Sequence, residues 1–332
     1  MVIRLLTSTI LLAGAVTATQ AQVPVVNPDF ALGGDPPTGW TLNTGTGMVV
    51  AGDAGGRAVA IVGDGESSNR WESAPIDLVP GGIYRLTARG RSQGASGGTA
   101  TMGVTWANLD LGTMPDDWRT YSLVFRAPVA APATARIHLG QWHVNGTVMF
   151  GQVSLVPVQP VYQPVGADAF LGASEVLTGD NYSYHPAFGK DGPNSRALVN
   201  STAGFNSSRW TMGANDEVIY RHHVDSRRQT GATLSVGIGH YTAGGLVVEA
   251  SPDGQTWTQV GELSGLEGLT EPLPAALFPA DEIWVRLRAN DTATLQVYSY
   301  EYKATVDPAV DDAYHAGGTR YLAELSTVPG LD

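Results

Sequence analysis

Val248-Glu-Ala-Ser-Pro-Asp-Gly-Gln-Thr-Trp257 reads as a β-hairpin. Pro252 presets φ for a reversal, and Gly254 accepts the positive φ that a tight turn needs. The same grammar repeats outward from it. Apolar residues recur at period two in Ile83 to Arg89, Tyr121 to Arg126, Ala135 to Leu139, Thr147 to Val156, Leu246 to Ala250, Ile283 to Arg288 and Leu295 to Tyr302. Gly, Pro, Asp and Asn cut these runs roughly every eight to twelve residues. After Val23 no stretch carries the period of an amphipathic helix. The pattern predicts an all-β chain of the sandwich kind.

The composition limits what such a chain can do. Its 332 residues include 41 Gly, 20 Pro and no Cys. At roughly 100 to 200 residues per domain, about two domains are expected. An apolar content of 43% and a charged content of 15% exclude a disordered polyelectrolyte and a membrane bundle. The net charge of −12 argues against nucleic acid or anionic lipid as partner. Without Cys there are no disulfides, no thiol catalysis and no Cys-ligated zinc.

Arg4 followed by an apolar run from Leu5 to Val16, then small residues through Ala18 and Ala21, reads as an export signal too short to span a bilayer. The expected location is therefore secreted, periplasmic or cell surface. Three prolines within Val156 to Pro164 cannot donate to a ladder and suggest an extended seam. The predicted organisation is a signal over residues 1–21, a first sandwich domain over 22–157 and a second over 158–306. Residues 307–332 form an acidic tail with a weak helical stretch at Thr319 to Leu325, or the entry to a further domain.

The first domain carries an ordered set of motifs: Asn27-Pro-Asp-Phe-Ala-Leu with Gly39-Trp40; Trp71 to Tyr84, with the turn Pro80-Gly-Gly82; Trp118-Arg-Thr-Tyr-Ser-Leu-Val-Phe125; and Gly146 to Leu155. In order and spacing it resembles a galactose-binding-like jelly roll of the carbohydrate-binding-module type. The second domain, through Val248 to Trp257 and Phe278 to Arg288, is similar to the discoidin-like branch of that fold. The resemblance implies polysaccharide or glycan binding in many relatives and architectural roles in others. Related modules often hold a structural calcium, which would place metal ligands at Asn27 and Asp29. Ala31 and Phe150-Gly151-Gln152 stand where further acidic residues are usual, so Asp29 also reads as a plain turn residue.

Sugar recognition takes flat aromatic surface and planar polar groups. Trp106 and Asn108, with Gln141, Trp142 and Asn145, combine both among polar or turn-forming neighbours. In the second domain Tyr182, Tyr184 and His185, Arg209 with Trp210, and His240 with Tyr241 have the same character. Trp40, Trp71, Trp118, Trp257 and Trp284 fit core packing. Tyr298, Tyr300 and Tyr302 alternate onto one strand face, as a binding platform or as a face closing the core. His222 and His223 are adjacent, point to opposite faces and cannot share one ion. No catalytic residue is assigned.

The expected function is non-catalytic carbohydrate binding, either beside a fused or partner catalytic domain or at a surface. Two alternatives remain at this level. One is an adhesion module without a sugar ligand. The other is a hydrolase or lyase with two carboxylates, or a Tyr/His/Arg set, converging between the jelly rolls.

Overall fold

Strands in this chain follow from strict alternation. In Ile83–Ser96, Leu86, Ala88 and Ser92 are buried while Arg85, Thr87, Arg89 and Arg91 face outward. The computed structural model describes residues 23–130, 133–166, 168–186, 188–189 and 192–323. The expected export segment, and the tail beyond Ala323, lie outside the described residues.

The first sandwich packs one antiparallel sheet, Trp40–Leu42, Ser68–Ser73, Ile137–Trp142, Thr99–Val104 and Ala107–Gly112, against a second. That second sheet contains Thr46–Ala51, Arg57–Asp64, Asn145–Val165, Ile83–Ser96 and Arg119–Arg126. Phe30, Trp40, Trp71, Phe125 and Phe150 fill the space between them. The second sandwich sets Leu198–Ser201, Glu217–His223, Glu282–Ala289, Leu246–Ser251 and Thr258–Leu263 against a sheet containing Arg209–Met212, Thr294–Asp307 and Arg228–Ala243. Its separate core is rich in hydroxyl-bearing rings: Tyr182, Tyr184, Tyr220, Tyr300 and Tyr302, with Phe205 and Trp210.

The two sandwiches share a sheet. Ala107–Gly112 pairs in parallel with Gly204–Asn206, placing Phe205 opposite Ala107 and Asn206 opposite Asn108. The Phe205 amide donates to Trp106 O at 2.7 Å and the Ser207 amide to Asn108 O at 2.9 Å. One continuous sheet of thirteen strands therefore runs through both halves among the described residues.

The quoted hairpin forms between Leu246–Ser251 and Thr258–Leu263, with Leu246 opposite Leu263. Gly254 has φ +68, and a Cβ there would sit 2.9 Å from the Trp284 ring, so both the dihedral and the close approach require glycine. Asp253 Oδ1 accepts from the Gln255 and Thr256 amides, and these bonds lower its carboxyl to about 2.

The extended Val156 to Pro164 segment is part of the 21-residue strand Asn145–Val165, and two other expectations are corrected here. Its prolines are tolerated because Val158–Tyr162 pairs with Thr319–Ala323, and Gln163–Val165 with Ala169–Leu171, where neighbouring amides carry the bonds. The weak helix at Thr319 to Leu325 is a strand over Thr319–Ala323. A single helical turn is costly to nucleate, whereas here a distant strand offers a ladder. The Arg85 guanidinium further holds Tyr321 O at 2.8 Å, and Tyr321 OH donates to Asn194 Oδ1 at 2.7 Å. Lastly, Trp118, Trp257 and Trp284 are half-buried on outer faces, unlike the core residues Trp40 and Trp71. Ile283, Val285 and Leu287 occupy the inward phase, which turns Trp284 out beneath Arg221, at 5.6 Å. Arg286 lies 4.3 Å from the Trp257 ring and Arg91 5.6 Å from that of Trp118.

Candidate functional site

The outward face of the shared sheet is a groove of about 530 Å³ that crosses the junction. Six strands form its floor, from Ser68–Ser73 through Ile137–Trp142, Thr99–Val104, Ala107–Gly112 and Gly204–Asn206 to Arg209–Met212. Five spacings of roughly 4.8 Å make it about 24 Å long. Alternation assigns the side chains. Met102, Leu139 and Leu109 turn toward the core, so Thr99, Thr101, His138, Trp142, Asn108 and Asp110 turn into the groove.

The floor stays shallow where side chains are missing. A Cβ on Gly103 would lie 2.0 Å from Ala107 O and 2.8 Å from the His138 ring. One on Gly140 would lie 2.6 Å from Arg70 Cβ.

Asn108 is the hub of the junction. Its Nδ2 donates to Asp110 Oδ1 at 3.0 Å and to Asn206 Oδ1 at 2.9 Å, and its Oδ1 accepts from His138 Nε2 at 2.9 Å. Ser207 Oγ donates to Asn206 Oδ1 at 3.0 Å and accepts from the Asp110 amide at 2.7 Å. This arrangement makes Nε2 the protonated nitrogen of a neutral imidazole. Burial, reinforced by the Arg70 charge, lowers His138 to about 3. Asn108 therefore spends its amide on positioning.

The expected binding residues divide clearly. Trp106, Asn108, Gln141, Trp142 and Arg209 all border the groove. Trp142 is 53% exposed, its ring stacked on His143 at 4.1 Å and 16°. Trp106 is half-buried, with Nε1 donating to Arg126 O at 3.2 Å and its ring edge-on to Phe125. Gln141 is buried and spends its amide on Ser67 O, Asn69 Oδ1 and the Val144 amide. Asn145 is exposed at the start of its strand, opposite Asp64 and outside the groove.

Tyr182, Tyr184 and Trp210 give way as ligand contacts, because all three are buried on strands. Tyr182 OH donates to Glu175 Oε1 at 2.6 Å, Tyr184 OH to Ser195 Oγ at 2.8 Å, and Trp210 Nε1 to Tyr220 OH at 2.7 Å. The latent period-two pattern Asn181-Tyr-Ser-Tyr184 is the signal that turns both rings inward. His185 is exposed, with Nδ1 3.2 Å from Glu301 Oε1. His240 lies exposed near Thr242 Oγ1 at 3.5 Å, and half-buried Tyr241 donates to Gly244 O at 2.9 Å. None of these three borders the groove.

Tyr298, Tyr300 and Tyr302 do not share a face. A register shift leaves Tyr298 unpaired between Val297 and Ser299, and turns it out to 45% exposure while Tyr300 and Tyr302 stay buried. The buried rings surround His222, which stacks on Tyr302 at 3.9 Å and bonds Tyr300 OH at 2.7 Å. Burial drives the His222 pKa well down.

At the expected metal position, the Asn27 side chain clamps its own loop. Nδ2 donates to Leu32 O and Thr38 O, and Oδ1 accepts from the Leu32 amide. Asp29 is exposed and accepts from the Ala31 amide at 3.3 Å, as a turn residue does. Among the described residues no three His, Cys, Asp or Glu side chains form a metal-binding group. Among them, too, no helix is long and apolar enough to cross a membrane.

No family model matches the chain, and no curated protein matches it. Solved structures show similar sandwiches. The enzymatically active domain of Bacteriophage CBA120 tailspike protein 4 aligns over 36% of this chain at 17% identity and a TM-score of 0.30; this chain spans only 19% of that one. The N-terminal CBM22-1–CBM22-2 tandem domain from Paenibacillus barcinonensis Xyn10C aligns over 87% of this chain and 100% of its own, at 9% identity and a TM-score of 0.34. TmCBM61, solved with β-1,4-galactotriose, aligns over 41% of this chain and 99% of its own, at 13% identity and a TM-score of 0.31. The likeness is one of architecture and extends no further.

Proposed function

We propose that the chain is an exported, non-catalytic carbohydrate-binding protein, made of two tandem jelly rolls, that holds a polysaccharide along the groove. The observation that carries the reading is Trp142, a large ring 53% exposed at the rim of an open groove whose lining includes several threonines, amides and two arginines. A pyranose face stacked on that indole would remove apolar surface of both partners from water. Asp110 is the one carboxylate among the groove's described lining residues, and hydrolysis by paired carboxylates takes two. Targeting of a fused or partner catalytic domain belongs to the same proposal.

Affinity electrophoresis of the full chain in gels cast with plant, algal and microbial polysaccharides tests it. Retardation by at least one polymer, lost in Trp142→Ala, is expected. No retardation by any polymer, or equal retardation of the variant, overturns it.

A further inference from the structure

Arg209 stands out among the arginines. Every other half-buried arginine among the described residues donates to a carboxylate or a carbonyl or is ion-paired; Arg57, Arg85, Arg89, Arg126, Arg196 and Arg286 donate, and Arg221 lies 3.7 Å from Glu282. Arg209 has no hydrogen-bond or ion-pair partner among them, and its Nε is fully shielded from solvent. It borders the groove immediately past the module junction. A cation held partly out of water without a counter-charge is costly, and that cost is recovered when an anion arrives.

The guanidinium is also held in place. It lies over the Tyr298 ring at 5.6 Å. Tyr298 in turn lies against Gly239, where a Cβ would come within 2.5 Å of the ring, and its hydroxyl donates to Gln296 Oε1 at 3.1 Å. With Nε shielded, the end of the guanidinium that carries Nη1 and Nη2 is the part that can meet a ligand, and its two N–H groups match the two oxygens of a carboxylate. The other groove arginine, Arg70, lies on the strand at the opposite end and is already paired with Glu72 at 2.7 Å. Asp110, the acid that borders the groove, is engaged by Asn108.

We infer that Arg209 is a carboxylate clamp, and that the glycan crossing the junction carries a uronic acid at that subsite. The inference rests on the proposed carbohydrate-binding reading and names the substrate class for it. The chain's net charge of −12 does not oppose it at contact range, because charges beyond about 8 Å are screened at physiological salt.

The test measures binding of the full chain, by titration calorimetry, to oligouronides and to the same oligosaccharides with their carboxylates reduced to primary alcohols. Wild type should prefer the native over the reduced form by roughly tenfold or more, the scale of one charge-assisted pair. Arg209→Met should erase that preference and Arg209→Lys should keep part of it. Trp142→Ala should weaken both forms alike. Equal binding of native and reduced oligosaccharides by wild type overturns the clamp, as does an unchanged preference in a folded Arg209→Met. If neutral glycans are then bound in a Trp142-dependent way, the carbohydrate-binding reading survives alone. If no glycan is bound, both fall.

Discussion

His138 offers a measurable link between the groove and the stability of the fold. Its ring is 8% exposed, Nε2–H is committed to Asn108 Oδ1, and burial with the Arg70 charge holds its pKa at about 3. Asp110, beyond Asn108, is the nearest acid in that network and does not contact the ring. An unfolded imidazole titrates near ~6.5. The native state therefore refuses a proton that the unfolded chain accepts. The resulting stability is complete above ~6.5 and is lost as pH falls toward 3. Between about pH 7.5 and about pH 5 the unfolded state gains roughly 2 kcal/mol from this one site.

His138→Gln removes the titration while keeping an amide that can donate to Asn108. Urea unfolding, followed by the fluorescence of the buried tryptophans, should show wild type losing about 2 kcal/mol more than the variant over that interval. His222 and His223, also lowered by burial, add losses of the same sign to both proteins and cancel in the difference. A pH dependence equal in the two proteins within about 0.5 kcal/mol would refute the assignment of a neutral, buried His138.

Three further outcomes are expected. Trp142→Ala should cost roughly 1–2 kcal/mol of glycan affinity by calorimetry and leave the melting temperature nearly unchanged, because that ring is 53% exposed and packs mainly on His143. Arg196→Met should destabilise the second sandwich by about 3–5 kcal/mol in urea, since it strips the 2.7 Å partner from the buried Glu175 carboxylate. Gly103→Ala should cost roughly 1–3 kcal/mol and distort the groove floor, read as a lower melting temperature together with weakened glycan retention, because the added Cβ would meet Ala107 O at 2.0 Å.

Strand existence was legible in the sequence because it depends on local alternation, as in Ile83–Ser96 or Glu282–Ala289. Facing was only partly legible. Trp284 sits between Ile283 and Val285, and period two alone already assigns it to the outer face, yet its size suggested core. Tyr298 could not be read the same way, since the bulge that turns it out is set by the pairing of Gly237 and Ile238 with a strand some sixty residues away. The groove has the same character. Trp106, Trp142 and Arg209 showed their chemistry in their neighbours. His138, Arg70 and Asn206 became visible only when Asn108 and Asn206 were brought side by side across 98 positions of chain. The strand at Thr319–Ala323 is likewise a product of contact with Val158–Tyr162 rather than of its own seven-residue neighbourhood.

The parallel pairing of Ala107–Gly112 with Gly204–Asn206 changes how the two halves count thermodynamically. Two modules on a flexible tether act as separate receptors, and their combined grip is an avidity set by tether length. Here the tether is replaced by backbone hydrogen bonds, so there is no effective concentration to tune. The orientation of the two halves is settled at folding instead of at binding. On the proposed reading, a glycan would meet a surface whose shape is fixed before it arrives. Isotherms with a bound glycan should then show one site per molecule where two modules would suggest two.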